Sequence, residues 1–406
     1  MRILFLTQWF NPEPQFKGLA FAKELQNRGH QVEVLTGFPN YPSGNVYPGY
    51  RIRFLQREMM DGVPVIRVPL YPNHDQSALK RILNYLSFAI SATVLGPFLV
   101  TKADVMYVLS PPATVGLPAI VIGLLRGIPF VYDVQDLWPD TLAATGMVRF
   151  PWMLRAVGTW CQVIYKMAAR TVVLAPGMKR VLAGRNVPLQ HLEVISNWCD
   201  EAPLLKGTIA PGEEALLKGH FNLVFAGNMG KVQGLETVLK AAEQVKVRHP
   251  EVQFVLVGGG LELDQLKRTT QERELSNVLF LPGRPIDEIG PILRKADALL
   301  VHLKDDPLFS ITIPSKIQAY LAIGRPILVG VRGDAKAMVE ASGAGFGFAP
   351  EDVEALVSAI TSLVGLDQEG REELGNRGRC YYKKQLSMEI GAEHFLELFR
   401  KVATRP

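Results

Sequence analysis

The opening of the chain constrains its fold more than any other stretch. Arg2 to Thr7 is an apolar run, and a Pro/Gly-containing loop follows from Asn11 to Gly18. A helical pattern then spans about Leu19 to Arg28, Gly29 fits the position just past a helix end, and Gln31 to Leu35 is a second apolar run. Strand, helix and strand in succession give a parallel crossover and the start of a doubly wound sheet. The rhythm returns in the second half, with apolar runs at Phe221 to Gly227, Val252 to Val257 and Val278 to Leu281. The expected class is α/β, with two doubly wound Rossmann-like domains. A chain of 406 residues is long enough for each domain to bury its own core.

Ligands of such sheets bind outside the carboxyl ends of the strands. The loop after the first strand places Glu13, Gln15, Lys17 and Gly18 on that side, as site residues or as a solvated loop. The loop from Gly37 to Gly44 adds Asn40 and Tyr41, which offer an amide and a ring face on that side or only fold the loop. The run from Pro129 ends in Asp133, Gln135, Asp136 and Asp140 with Trp138 among them. Crowding three carboxylates at one strand end is costly unless they bind something or are well solvated. Asp136 is the favoured functional carboxylate, and Asp140 suits capping of the next helix.

In the second half, Ile311 to Pro326 reads ITIPSKIQAYLAIGRP. Pro314 and Ser315 read as a helix start, with Ser315 as the cap and Lys316 as a cation in the first turn. Ile317, Tyr320 and Leu321 follow at helical spacing, and Gly324 stops the helix. Such an opening is a site for a phosphate or pyrophosphate, or a capped core helix. Strand, glycine-containing loop and helix at Phe221 to Leu235 have the form of a phosphate-binding turn, which brings in Gly227, Asn228 and Lys231. Gly259 and the Gly283-Arg284 turn lie after the following strands. His302, after an apolar run, reads as a packed strand-end histidine.

Residues 1–199 carry 19 basic and 11 acidic side chains, a net +8, while the remainder carries 25 and 28, a net −3. That asymmetry points to an anionic partner on one half only, and no nucleic-acid motif accompanies it. Ile82 to Thr101 is uncharged, but Asn84, Ser87, Ser91, Thr93 and Gly96-Pro97 dilute it. A re-entrant, surface-lying or buried core helix fits it better than a span. Met147 to Arg170 mixes Phe150, Trp152, Trp160 and Tyr165 with Arg149, Arg155, Lys166 and Arg170, which suits a membrane surface or a solvated amphipathic helix. G-x-G-x-x-G is absent after the first strand, and no metal spacing appears. Cys161, Cys199 and Cys380 are far apart and suit a reducing cytosol, and the N-terminus has no signal-peptide layout.

The run P-S-K-x-x-x-Y-x-A-x-G-x-P from Pro314 resembles the donor-site helix of family 4 glycosyltransferases, the retaining GT-B group. Asp133-x-x-Asp136-x-Trp138-Pro139 and Thr36-Gly-x-Pro-Asn-Tyr-Pro-x-Gly44 resemble segments of the subgroup that adds deoxy- or amino-sugars to lipid-linked O-antigen and capsule precursors. Within it the chain is most similar to the L-fucosamine (N-acetyl-L-fucosamine) transferases. The resemblance implies an acceptor-binding domain at 1–199, a nucleotide-sugar domain at 200–387 and a C-terminal helix at 388–406 packing on the first domain, with a cleft between the domains. It assigns Gly227, Asn228, Lys231, Gly259, Gly283, Arg284, Pro314, Ser315, Lys316 and Gln318 to the donor. Glu13, Gln15, Lys17, Gly18, Asn40, Tyr41, Asp136 and Trp138 fall to the acceptor and sugar, with Asp136 and Lys316 catalytic. Relatives also carry an Arg and a Lys where this chain has Asn228 and Gln233, two glutamates where it has Ile311 and Ala319, and often a His at Gln135. Gln318 or a backbone group then replaces the ribose-binding carboxylate.

The activity implied is hexosyl transfer with retention, from a UDP-sugar to a saccharide on undecaprenyl pyrophosphate. It needs no metal or other cofactor and takes place at an anionic membrane surface on the cytoplasmic side. Two alternatives stay open: a UDP-sugar 2-epimerase, which also uses two such domains, and an inactive transferase-like subunit that binds lipid or a partner.

Overall fold

The computed structural model describes residues 1–73, 78–144, 146–148 and 150–403. Arg149, grouped above with the aromatic–basic segment, and the end of the chain, 404–406, lie outside the described residues. The chain divides into two compact units, 1–196 with 391–406, and 197–390.

In the first unit the elements run β1 (Arg2–Thr7), α1 (Leu19–Asn27), β2 (Gln31–Gly37), β3 (Gln56–Met60), β4 (Val63–Val68), α2 (Ala78–Leu99), β5 (Val105–Ser110), α3 (Gly116–Arg126) and β6 (Phe130–Val134). They continue with α4 (Asp140–Ala144), α5 (Pro151–Met167), β7 (Arg170–Val173), α6 (Pro176–Gly184) and β8 (Leu192–Val194). The sheet order is β3-β4-β2-β1-β5-β6-β7-β8, and every neighbouring pair is parallel except β3 with β4. β5 and β6 are buried along their whole length, as strands covered by helices on both faces must be. The sheet order reverses direction at β1, so the loops after β1 and β5 flank the switch point where such sheets bind ligands.

α2 runs through Pro97 to Leu99, so Gly96-Pro97 does not break it. Pro97 sits in the last turn, where it removes one intrahelical bond from a helix about to end. Gly96 serves packing: a Cβ there would lie 2.6 Å from Ile122 Cδ1 of α3.

The second unit holds α7 (Glu201–Leu204), α8 (Pro211–Leu217), β9 (Phe221–Ala226), α9 (Leu235–Arg248), β10 (Val252–Val257), α10 (Leu263–Glu272), β11 (Val278–Leu281), α11 (Ile286–Lys295) and β12 (Ala298–His302). After these come α12 (Pro307–Ser310), α13 (Lys316–Ile323), β13 (Ile327–Gly330), α14 (Asp334–Ser342), β14 (Gly345–Gly347), α15 (Val353–Val364) and α16 (Gln368–Gln385). Its sheet, β11-β10-β9-β12-β13-β14, is wholly parallel and switches direction at β9. Phe225, Val238, Phe254 and Leu300 lie in the core between this sheet and its helices. α17 (Met388–Ala403) begins in this unit and passes into the first, where Phe395 and Phe399 pack edge-on and tilted against Tyr107.

Candidate functional site

In the second unit three turns meet at the carboxyl end of the sheet. Gly227 N–H donates to Val257 O at 2.9 Å, Gly258 N–H to Leu281 O at 3.0 Å and Met229 N–H to Gly259 O at 2.7 Å. Gly258 is at φ +150, and a Cβ there would sit 1.9 Å from Gly227 O, so the two backbones touch without room for a side chain. Gly227, Asn228, Gly259 and Gly283 are exposed on this layer.

α13 opens beside it. Lys316 is its first residue, and Nζ lies 3.9 Å from the centroid of the Phe225 ring at the end of β9. A Cβ on Gly227 would come within 3.3 Å of the same Nζ. Among the described residues the ammonium has no ion pair or hydrogen bond, and burial pushes its pKa down to about 7. Among the described residues no anion lies beside this half-buried cation, so a bound anion would offset the cost of its desolvation. Tyr320, the tyrosine of the PSK run, fixes the geometry: its buried hydroxyl accepts from Ala226 N–H at 3.0 Å and ties α13 to β9.

Three donor-side expectations change. Ser315 is exposed, already helical at φ −57, and its hydroxyl makes no capping bond. Gln318 is buried, and its amide donates to the Pro314 and Ser315 carbonyls at 3.1 and 3.0 Å, so it braces the helix start from inside and cannot reach a ribose. Arg284 is bound by Glu213 and, at 3.2 Å, by Glu288, so its charge is already met. Lys231 is exposed at the start of a 3-10 turn. The Gln233 side chain accepts from Gly230 N–H at 3.1 Å, and its backbone carbonyl accepts a hydrogen bond from His302 Nδ1–H at 2.7 Å. His302 Nε2 accepts from Glu351 N–H, so the ring is neutral and braces two loops; burial lowers its pKa.

In the first unit most residues expected at the acceptor hold the loops together. Lys17 is fully buried; Nζ donates to Asp133 Oδ2 at 2.7 Å and lies 5.0 Å from the Phe395 ring. Burial lowers its pKa more than Asp133 raises it. Asp133 also accepts from Tyr107 Oη at 2.6 Å and Gln135 Nε2 at 2.8 Å. Glu13 is buried and accepts from the Phe10, Asn40 and Tyr41 N–H groups at 2.9, 2.8 and 2.8 Å. Asn40 is buried and bonded to Asn84 and Phe38. Gly18 is buried because Asn11 Oδ1, which caps Leu19 N–H, fills the space a Cβ would need. Gln15 is half-buried beside it. Lys17, Glu13 and Asn40 fold the loops because each points into the packed side, where water cannot satisfy it.

Burial pushes the Glu13 carboxyl up to about 7 from 4.5, against the pull of its three N–H donors. The folded protein therefore holds a proton that the unfolded chain has released between these values, and stability should fall as pH rises from 4.5 to about 7. Glu13→Gln should melt lower, because its NH₂ meets N–H donors, but with a flatter profile across that window. An unchanged slope of Tm against pH would remove Glu13 as the source.

What remains open is Asp136 and a row of rings. Asp140 is bound by Arg185 at 2.6 Å and Asp133 is enclosed, whereas Asp136 keeps an open face to solvent. Among the described residues the Asp136 carboxylate has no hydrogen bond or ion pair, and desolvation by its recess raises its pKa. Tyr41 stacks on Trp9 at 4.6 Å, Trp9 meets Tyr85 at 6.2 Å, and Tyr85 meets Trp138 at 6.4 Å. Burial raises the pKa of both Tyr41 and Tyr85 and the charge of Asp136 adds to the rise, which places Asp136 beside the row. Trp9 and Tyr85 were not anticipated, and neither was Arg67, which is buried and ties Glu58, Gly37 O and Asn11 O. Among the described residues no three His, Cys, Asp or Glu side chains gather as a metal-binding set.

Residues 19–198 match the glycosyl transferase 4-like domain, and residues 210–380 match glycosyl transferases group 1. The chain is a group 1 glycosyltransferase. Over 308 residues it is 26% identical to the Pseudomonas aeruginosa protein named as glycosyltransferase WbjE, covering 74% of this chain and 75% of that one. Over 382 residues it is 26% identical to the Escherichia coli K12 protein named as colanic acid biosynthesis glycosyl transferase WcaI, covering 87% and 90%. The glycosyltransferase also shares its fold with Anabaena HepE, solved with UDP and glucose, at TM-score 0.66 and 16% identity over 98% and 99% of the two chains. Its two Rossmann-like domains are those of the GT-B fold.

Proposed function

We propose that this glycosyltransferase moves a sugar from a UDP-sugar to a lipid-linked saccharide, with retention, on the cytoplasmic face of the membrane. The unpaired Lys316 ammonium at the start of α13, beside glycine turns open to a ligand, carries the reading. Charge on the leaving diphosphate grows as the glycosidic bond breaks, and Lys316 with the helix dipole meets it. Same-face attack lets that diphosphate take the acceptor's proton, so the transfer asks little of a protein base and no metal. Asp136 and the row from Tyr41 to Trp138 receive the acceptor sugar, rings against its apolar face and the carboxylate on its hydroxyls. The polysaccharide role of the relative named for colanic acid and the UDP seen in HepE support this chemistry. Within it we favour an amino-deoxy sugar such as N-acetyl-L-fucosamine as donor. The acceptor would be an undecaprenyl-pyrophosphate saccharide of O-antigen or capsule synthesis.

The test is a panel of UDP-sugars with membrane lipid extract, in EDTA. One UDP-sugar should raise the Tm and yield a glycolipid. An epimerised nucleotide sugar, or binding without turnover, would overturn the reading. Asp136→Asn should keep the UDP-induced Tm shift and lose about tenfold or more in kcat, as misplacement of one reactant does. Activity near wild type would take Asp136 out of the site.

A further inference from the structure

The right-handed crossovers of the first unit decide which helices share a face. β4 to β5, β5 to β6 and β6 to β7 all step the same way across the sheet, whereas β1 to β2 steps the other way. α2, α3 and α5 therefore lie together on one face, and α1 lies on the opposite face. α2 packs on α3, and α3 on α5.

α2 is long and apolar enough to cross a membrane, yet only 39% of that stretch is buried. Its inner side, with Phe88 and Ala92, belongs to the core. Its outer side is a stripe of Leu79, Leu83, Leu86, Ile90, Val94 and Phe98, exposed from 43% to 85%. The spacing is three and four, one continuous line about 28 Å long at 1.5 Å per residue. Neighbouring helices extend it: Leu124 and Leu125 on α3 are each 67% exposed, and Trp152 on α5 is 66% exposed. An apolar face of this extent is not left to water without a partner.

Charge selects the partner. α2, α3 and α5 contain no Asp or Glu, and they carry Lys80, Arg81, Arg126, Arg155 and Lys166. A second copy laid on this face would set five cations against five more. An anionic lipid leaflet offers both the apolar interior and the opposite charge. We propose that α2, flanked by α3 and α5, lies flat in the headgroup boundary of an anionic membrane with its outer stripe in the lipid. It does not span, because spanning would strip Phe88 and Ala92 from the core. This deepens, and rests on, the reading of a lipid-linked acceptor: docking by this face delivers the enzyme to the surface where that acceptor is held.

The test uses the full chain and vesicles of phosphatidylcholine with and without phosphatidylglycerol. Wild type should float with the anionic vesicles and be released by salt. Ile90→Asn/Val94→Asn, at two side chains that the fold leaves exposed, should keep its Tm and lose about tenfold or more in partitioning. It should keep turnover on a water-soluble short-chain acceptor and lose turnover on the vesicle-embedded one. Flotation of the variant equal to wild type overturns the docking proposal. So does a wild-type dimer that the variant converts to monomer, which would mean that a second copy covers the stripe. If flotation behaves as expected and neither acceptor is glycosylated, docking stands and the proposed acceptor fails.

Discussion

Replacing Lys316 by alanine should lower kcat by about 10²-fold or more, the scale of losing one preorganised donor to a developing anion. UDP affinity should fall less, because the charge that Lys316 meets is largest in the transition state. Arginine should not rescue: the compact ammonium sits 3.9 Å from the Phe225 ring centroid, and a larger planar guanidinium does not place its charge at that point. The pH dependence is a second signature. The free enzyme loses the Lys316 proton above about pH 7, so kcat/KM should decline there, while kcat holds to higher pH because the bound diphosphate keeps the proton on. Stability follows the same group. Its pKa is about 7 folded and 10.5 unfolded, so the unfolded chain binds more protons between those values and stability rises with pH across them. Lys316→Ala should flatten that rise and should not lower the Tm of the unliganded protein. A wild-type kcat in the variant would place the diphosphate elsewhere. A lower unliganded Tm would make the lysine structural.

Asp133→Ala should cost about 3 to 5 kcal/mol, the penalty of leaving a buried charge without its partner. At that size the Tm should fall by roughly 10 °C. The variant removes the buried carboxylate to which Lys17 Nζ, Tyr107 Oη and Gln135 Nε2 all donate, at a place where Lys17 is fully enclosed against Phe395. Lys17→Met/Asp133→Leu should recover most of the loss, since replacing both charges removes the uncompensated one. Chemical denaturation of the two variants decides it: a loss under about 1 kcal/mol for Asp133→Ala is the value of an exposed pair and would contradict the burial.

The parallel strands and the helix at Lys316 were legible because both signals are local. Apolar runs end at glycine turns, and a cation follows Pro-Ser at the start of a helical pattern. Asp136 stands out in the sequence as one of three crowded carboxylates; in the structure Asp133 is enclosed, Asp140 pairs with Arg185 and Asp136 is exposed. Lys17 was misread because its partner lies 116 residues away, a distance no spacing rule reaches. Glu13 and Gln318 were misread for another reason. A polar side chain on a loop or first turn looks available in sequence, and only packing reveals that it faces inward. The ring row stayed hidden because Trp9, Tyr41, Tyr85 and Trp138 come from separate segments that only the folded sheet brings together. The outer stripe of α2 was visible as an uncharged run, but which side of the helix meets the core required the crossover direction.

The contact of Gly258 with the Gly227 carbonyl carries an evolutionary consequence. Turns pressed backbone to backbone admit no side chains, so their part in recognition cannot be retuned by substitution. Diversification among related transferases is then channelled into the segments that do bear side chains. Residues 228–233, with Asn228, Lys231 and Gln233, are such a segment. The peptide frame stays fixed while the side chains of that segment change.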